Sequence, residues 1–169
     1  MRINRGRPLL TSKIKTLKSL KSVTCTLHRQ GNKIVFTNGC FDLLHVGHIK
    51  YLEEAKKLGD KLIVALNSDA SVEKIKGPCR PLVGQKDRLS IVAALASVDY
   101  VCLFGEATPL KVIRALRPDV LVKGADWKGK GIVGSEFVRS YGGKVATLKF
   151  IKGRSTTRLI KKIAKANST

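Results

Sequence analysis

The chain has 169 residues, 43% of them hydrophobic and 27% charged, which suits one domain with a real core and excludes wholesale disorder. No run approaches the roughly 18–20 consecutive apolar residues of a membrane span, and the N-terminus lacks the apolar stretch of a secretory signal. The formal net charge is +21, so phosphate-bearing or otherwise anionic partners fit better than cationic ones.

Residues 1–12 carry Gly6 and Pro8 and no periodic pattern, and are expected to be a loose basic lead-in to a single domain over 13–169. From Leu10 the apolar residues Leu10, Ile14, Leu17 and Leu20 recur at helical spacing with Lys13, Lys15, Lys18 and Lys21 between them. That pattern predicts an amphipathic basic helix packed on the domain, with membrane-surface binding as the alternative. The acid-free, Arg-, Ser- and Thr-containing start also has the composition of an organellar transit peptide. Gly31-Asn32 breaks the chain, and short apolar runs then alternate with helical patterns. Strands are predicted at 34–36, 62–66, 101–104, 120–122 and 145–148. Helices are predicted at 46–58, at 85–97, from Thr108-Pro109 as a cap and first residue to Pro118, and from Ser155 onward. Unbroken apolar strands separated by helices predict an α/β, Rossmann-like open parallel sheet with helices on both faces. In such sheets ligands bind beyond the carboxyl ends of the strands.

Charge is unevenly spread. Residues 42–136 hold all 12 acids and 15 Lys and Arg; residues 1–41 and 137–169 hold nine Lys and Arg each and no carboxylate. Cys25, Cys40, Cys79 and Cys102 form no C-x-x-C pair, which argues against structural zinc and a disulfide framework and for reduced thiols in a cytoplasmic protein. His28 has no partner pattern.

The first predicted strand is followed by Thr37-Asn38-Gly39-Cys40-Phe41-Asp42-Leu43-Leu44-His45-Val46-Gly47-His48. Two histidines three apart at a helix start are open to three readings: metal ligands, satisfied structural histidines, or an anion site. The third is favoured. A helix N-terminus supplies backbone N–H groups and the positive end of its dipole, imidazoles add directed donors, and Gly39 and Gly47 leave room for a nucleotide to approach the backbone.

G-x-F-D-x-x-H-x-G-H after the first strand resembles the signature of the nucleotidyltransferase superfamily, which includes cytidylyltransferases and several adenylyltransferases. Asn67-Ser68-Asp69, Lys76-Gly77, Arg80-Pro81, Arg88, Lys123-Gly124-Ala125-Asp126-Trp127 and Gly153-Arg154-Ser155-Thr156-Thr157 follow in order. Over about residues 31–164 the chain is similar to the adenylyltransferases that make ADP-heptose from D-glycero-β-D-manno-heptose 1-phosphate and ATP for the lipopolysaccharide core. A sugar kinase domain is often fused ahead of such enzymes, so a stand-alone transferase is expected. The basic flanks depart from the pattern.

The resemblance implies that His45, His48, Lys76 and Arg154 are catalytic, with His48 at the α-phosphate. Ser155, Thr156 and Thr157 would cradle the β and γ phosphates, against an ordinary helix cap. Asn38, Gly39, Cys40, Phe41, Asp42, Gly47, Lys123, Gly124 and Asp126 would line the nucleotide site. Asp42 is open to Mg²⁺ coordination or to fixing its loop through backbone N–H bonds, the second favoured. Asn67, Asp69, Lys74, Arg80, Arg88 and Trp127 would serve the acceptor. The superfamily also implies ATP as substrate, Mg²⁺ and a homodimer, with neither a specific nucleic acid nor a membrane as partner. The rivals are a cytidylyltransferase acting on glycerol 3-phosphate and a basic nucleic-acid-binding module, the latter weakened by aromatics at 5% of the chain.

Overall fold

The computed structural model describes residues 10–125, 131–149 and 155–166. Asp126, Trp127 and Arg154 lie outside them, as does most of the expected lead-in. Five strands, β1 (Ile34–Gly39), β2 (Lys61–Asn67), β3 (Tyr100–Phe104), β4 (Val120–Gly124) and β5 (Lys144–Leu148), form one parallel sheet in the order β3-β2-β1-β4-β5. The chain winds outward from β1 through β2 to β3, crosses back to β4, and ends at β5. Strand order therefore reverses between β1 and β4.

Period-two alternation sends strand side chains into two cores. Val35, Leu62, Val64, Leu66 and Val101 face Tyr51, Leu52 and Ala55 of α3 (Val46–Lys56) and Val92 and Ala93 of α5 (Gln85–Ala94). Ile34, Phe36, Ile63, Cys102 and Leu121 face the opposite layer. There they meet Leu20 and Leu27 of α2 (Leu17–Arg29), Val112, Ile113 and Leu116 of α6 (Leu110–Leu116), and Val138 of α7 (Ser135–Ser140). Both faces are covered, as apolar strands require.

The predicted N-terminal helix is not continuous. A single turn, α1 (Leu10–Lys13), ends where Ile14 bridges Val101 and the Lys15 N–H donates to the Val101 carbonyl at 2.9 Å. The exposed edge of β3 offers unpaired backbone groups, and the segment takes them. Thr16 then caps α2, its hydroxyl accepting from the Ser19 N–H. Two helices have no counterpart in the sequence pattern: α7, and α4 (Asp69–Lys76), bracketed by the Ser68 cap and Gly77. α6 starts one residue later than expected, because Pro109 and not Thr108 holds the cap position.

The amino edge of the sheet is stitched by carboxylates. Asp60, Asp99 and Asp119 each stand immediately before a strand, and each accepts a 2.7 Å bond from a backbone N–H within one residue of the start of its neighbour: Lys33, Leu62 and Ile34 respectively. Asp99 also meets Lys56 Nζ at 2.5 Å, and Asp119 lies 3.4 Å from His28 Nε2, so His28 has a structural partner after all. Asp119→Ala leaves the Ile34 N–H without its acceptor beside the core, and is expected to lower unfolding stability by about 1–3 kcal/mol in urea titration.

Candidate active site

A cavity of about 660 Å³ opens at the carboxyl edge of the sheet, where β1 and β4 part. Its floor comes from the last residues of those strands. Lys123, 7% exposed, donates through Nζ to Asn38 Oδ1.

The histidine motif builds one wall. His45, in extended backbone, is the N-cap of α3, and its Nδ1 accepts from the Gly47 N–H at 3.1 Å; the His45 N–H reaches back to His48 Nδ1 at 3.4 Å. This reciprocal cap is the geometry usually made by Ser or Thr with Glu, here made by two imidazoles. The rings stack at 4.0 Å. An Nδ1 that accepts from a backbone N–H carries no proton, so each ring is neutral and donates through Nε2. Burial, with the neighbouring His45, pushes the His48 pKa down to about 4.

Gly39, which lines the cavity, also has a packing reason to lack a side chain. A Cβ there would meet the Phe41 ring at 3.0 Å. Phe41 takes a left-handed φ of 47°, is 6% exposed, and sets its ring 5.4 Å from that of His48. The glycine thus makes room for the aromatic that backs the histidine, although both residues also border the cavity.

The opposite wall is the start of α8 (Thr156–Ala166). Ser155 Oγ accepts from the Arg158 N–H at 3.2 Å, and the Thr156 hydroxyl donates to the Leu43 carbonyl at 3.1 Å. That second bond draws the amino ends of α3 and α8 to one place, so two helix dipoles converge on the cavity. Ser155, Thr156 and Thr157 all line it.

Lys76, the last residue of α4, and Arg80 bring cations to the mouth. Arg80 Nε donates to Asp42 Oδ2 at 2.6 Å, while Asp42 Oδ1 accepts from the Leu82 and Val83 N–H groups at 2.9 Å. Burial opposes ionisation of Asp42, but the Val83 and Leu82 N–H bonds and the Arg80 guanidinium outweigh it and hold its pKa below the usual carboxylate range. Asp42 therefore fixes the loop, the reading its sequence setting favours. Burial raises the pKa of Cys40 despite nearby Lys76, Arg88 and Arg80, so the thiol stays protonated. The described residues contain no cluster of three His, Cys, Asp or Glu that would hold a metal, and Asp42 is already committed. They do not fit a protein-held Mg²⁺.

Of the other expected residues, Asn67 lines the cavity. Gly124 is buried at the end of β4 and does not line it, and Lys74 is exposed on α4 away from it. Arg88 is a correction. It is 1% exposed and donates to the Val83, Cys40 and Asn67 carbonyls at 2.9, 2.5 and 2.8 Å and to Asp69 Oδ1 at 2.7 Å. It binds the loops around the cavity to each other and does not line it. Asp69 shares that work, exchanging bonds with Gln85. Sequence reasoning misses Ile75, Ala107, Thr108, Pro109 and Val133 as lining residues. The position of 107–109 just after a strand is the available signal, but the Thr-Pro pair reads more strongly as a helix cap.

The neutral-imidazole arrangement has a pH signature. An unfolded imidazole titrates near 6.5 and His48 near 4, so between these values the unfolded chain binds more protons. The contribution of His48 to stability is complete above pH 6.5 and is lost as pH falls toward 4. In an NMR titration the His48 ring resonances are expected to shift near pH 4; a midpoint at 6.5 contradicts the buried neutral donor.

Among the described residues no helix is long and apolar enough to cross a membrane. Comparison with known proteins agrees with this site. The chain is 54% identical over 155 residues to the bifunctional protein HldE of Geobacter sulfurreducens and 56% identical over 152 residues to that of Citrifermentans bemidjiense, covering 92% and 90% of this chain. It spans 32% and 31%, about a third, of the length of those curated relatives. The crystal structure of the lipopolysaccharide core biosynthesis protein from Thermoplasma volcanium superimposes with a TM-score of 0.60 at 32% identity, over 73% of this chain and all of that one. Pantoate–β-alanine ligase from Francisella tularensis, at 17% identity and a TM-score of 0.59 over 90% of this chain and 76% of its own, shares the fold. The cytidylyltransferase-like family matches residues 36–162. With that span holding most of the sheet, both cavity-facing helix starts and the paired histidines, the chain belongs to the cytidylyltransferase-like family.

Proposed function

We propose that the chain is an adenylyltransferase that joins ATP to D-glycero-β-D-manno-heptose 1-phosphate, giving ADP-heptose and pyrophosphate for lipopolysaccharide core synthesis. The carrying observation is the reciprocal histidine cap of α3, which leaves Nε2 as the donor of two imidazoles lining a cavity where two helix starts and three cations converge. The substrate class is supported by the high identity to the bifunctional HldE proteins and by the likeness to the lipopolysaccharide core biosynthesis protein of Thermoplasma volcanium.

In the reaction an oxygen of the sugar phosphate attacks the α-phosphorus of ATP, the bond to the β-phosphate oxygen breaks, and pyrophosphate leaves. The nucleophile is already an anion at neutral pH, so no general base is needed. The task of the protein is alignment and neutralisation of charge. His48 and His45 donate to the α-phosphate region, and neutral rings do so without exchanging protons. The start of α8, with Thr157 and the backbone N–H groups, receives the β and γ phosphates. Lys76 and Arg80 neutralise the remaining charge, and Arg154 would join them. Mg²⁺ enters as the complex of the nucleotide substrate. The proposal extends to a cytoplasmic homodimer whose nucleotidyltransferase domain spans residues 13–169.

A pyrophosphate-release assay offering ATP or CTP with heptose 1-phosphate or glycerol 3-phosphate tests the assignment. Turnover is expected with the ATP and heptose pair; activity confined to CTP with glycerol 3-phosphate points to the cytidylyltransferase alternative. His48→Ala is expected to lower kcat by about 10²-fold, the scale of one lost transition-state donor, in a chain that still folds but with a lowered thermal midpoint, because the His45 N–H loses its cap acceptor. Full activity in that variant removes His48 from the mechanism.

A further inference from the structure

The cavity is chemically two-sided. The starts of α3 and α8 with Lys76 and Arg80 suit phosphate, but the wall that follows β3 carries no charge: it is made of Ala107, Thr108 and Pro109, with Val133 also neutral. Thr108 is exposed, and α6 has Pro109 at its cap position with no side-chain cap bond. The Thr108 hydroxyl therefore has no helix to cap. At the end of β2, the strand next to β3, Asn67 also lines the cavity; it is 5% exposed and donates through Nδ2 to Ser71 Oγ at 2.9 Å, which makes its amide oxygen the group available to a ligand. A hydroxyl and an amide oxygen suit alcohol groups. Phosphate, whose oxygens only accept, gains nothing from an amide oxygen.

Sheet order gives this wall a side of the reaction. The start of α8 is tied to Leu43, beside the histidine cap that follows β1, whereas residues 105–109 follow β3 at the far edge of the sheet. With the departing β and γ phosphates at α8, in-line displacement brings the nucleophile to the opposite face of the α-phosphate. That face is the β2–β3 side. We infer that Thr108, with Asn67, reads the hydroxyl groups of the sugar acceptor and is a specificity-determining residue for it. The inference rests on the sugar-phosphate adenylyl transfer proposed above.

The test compares the wild-type chain with Thr108→Val, which keeps the shape and loses the hydroxyl, and Thr108→Ser, which keeps the hydroxyl. ATP and D-glycero-β-D-manno-heptose 1-phosphate are varied in turn, and folding is followed by circular dichroism. Thr108→Val is expected to raise KM for the sugar phosphate about three- to tenfold, the scale of one neutral hydrogen bond, with KM for ATP unchanged; Thr108→Ser is expected to restore the wild-type value. An unchanged sugar KM in Thr108→Val, while the wild type turns over the pair, overturns the role of Thr108 and leaves the adenylyl transfer standing. A rise confined to KM for ATP overturns it by assigning the wall to the nucleoside. A wild type that transfers to no sugar phosphate overturns both.

Discussion

The bond pattern on which the site depends is the mutual cap between His45 and His48 at the start of α3. Each Nδ1 is occupied by a backbone N–H, so proton position, ring orientation and helix start are settled by the same two bonds. Everything nearby is arranged around that pair. Gly39 gives up its side chain so that the Phe41 ring can stand behind His48. The Leu43 carbonyl, two residues before the cap, receives the Thr156 hydroxyl and so brings α8 to the same place. A protonated Nδ1 would set an N–H against a backbone N–H, and for His48 burial adds to that geometry in favouring the neutral ring.

Charge is sorted across the two edges of the sheet. Asp60, Asp99 and Asp119 are spent at the amino edge, where the first N–H groups of parallel strands need acceptors. At the carboxyl edge stand Lys76, Arg80 and Lys123, and the one carboxylate lining the cavity among the described residues, Asp42, is tied to Arg80 and to two backbone N–H groups. A polyanion approaching that edge meets cations and helix starts with little opposing charge. The nearly balanced middle of the sequence is thus strongly polarised once folded. The acid-free flanks add to the overall positive field, and the described residues give no separate account of them.

Much of the fold is legible because burial writes itself into periodicity. The apolar runs at 34–36, 62–66, 101–104, 120–122 and 145–148 each form a strand, with ends shifted by no more than three residues. α4 and α7 are invisible because eight- and six-residue helices carry too few apolar repeats to stand out. The break at Ile14 is invisible for another reason. The Leu10-to-Leu20 spacing is helical, but the open edge of β3 competes for the backbone of Ile14 and Lys15, and no local pattern announces a distant edge. Arg88 misleads in the same way. Arginine in a phosphate-rich motif set suggests a ligand contact, yet three carbonyls and Asp69, brought together only by folding, occupy four of its five N–H donors.

By itself the sequence determined the layered α/β architecture, the helix start with its two histidines, and the loops from which cations would come, because these depend on neighbours within a few positions along the chain. The tertiary structure alone decided which groups are left over for a substrate. Asp42, Asp69 and Arg88 are taken up by loops 16 to 48 residues away, whereas Thr108, reserved for a helix cap by its sequence, is released to the cavity when Pro109 takes that position. A hydrogen-bonding side chain bonds to whatever folding places within about 3 Å, and that inventory is set by strand order and not by sequence distance.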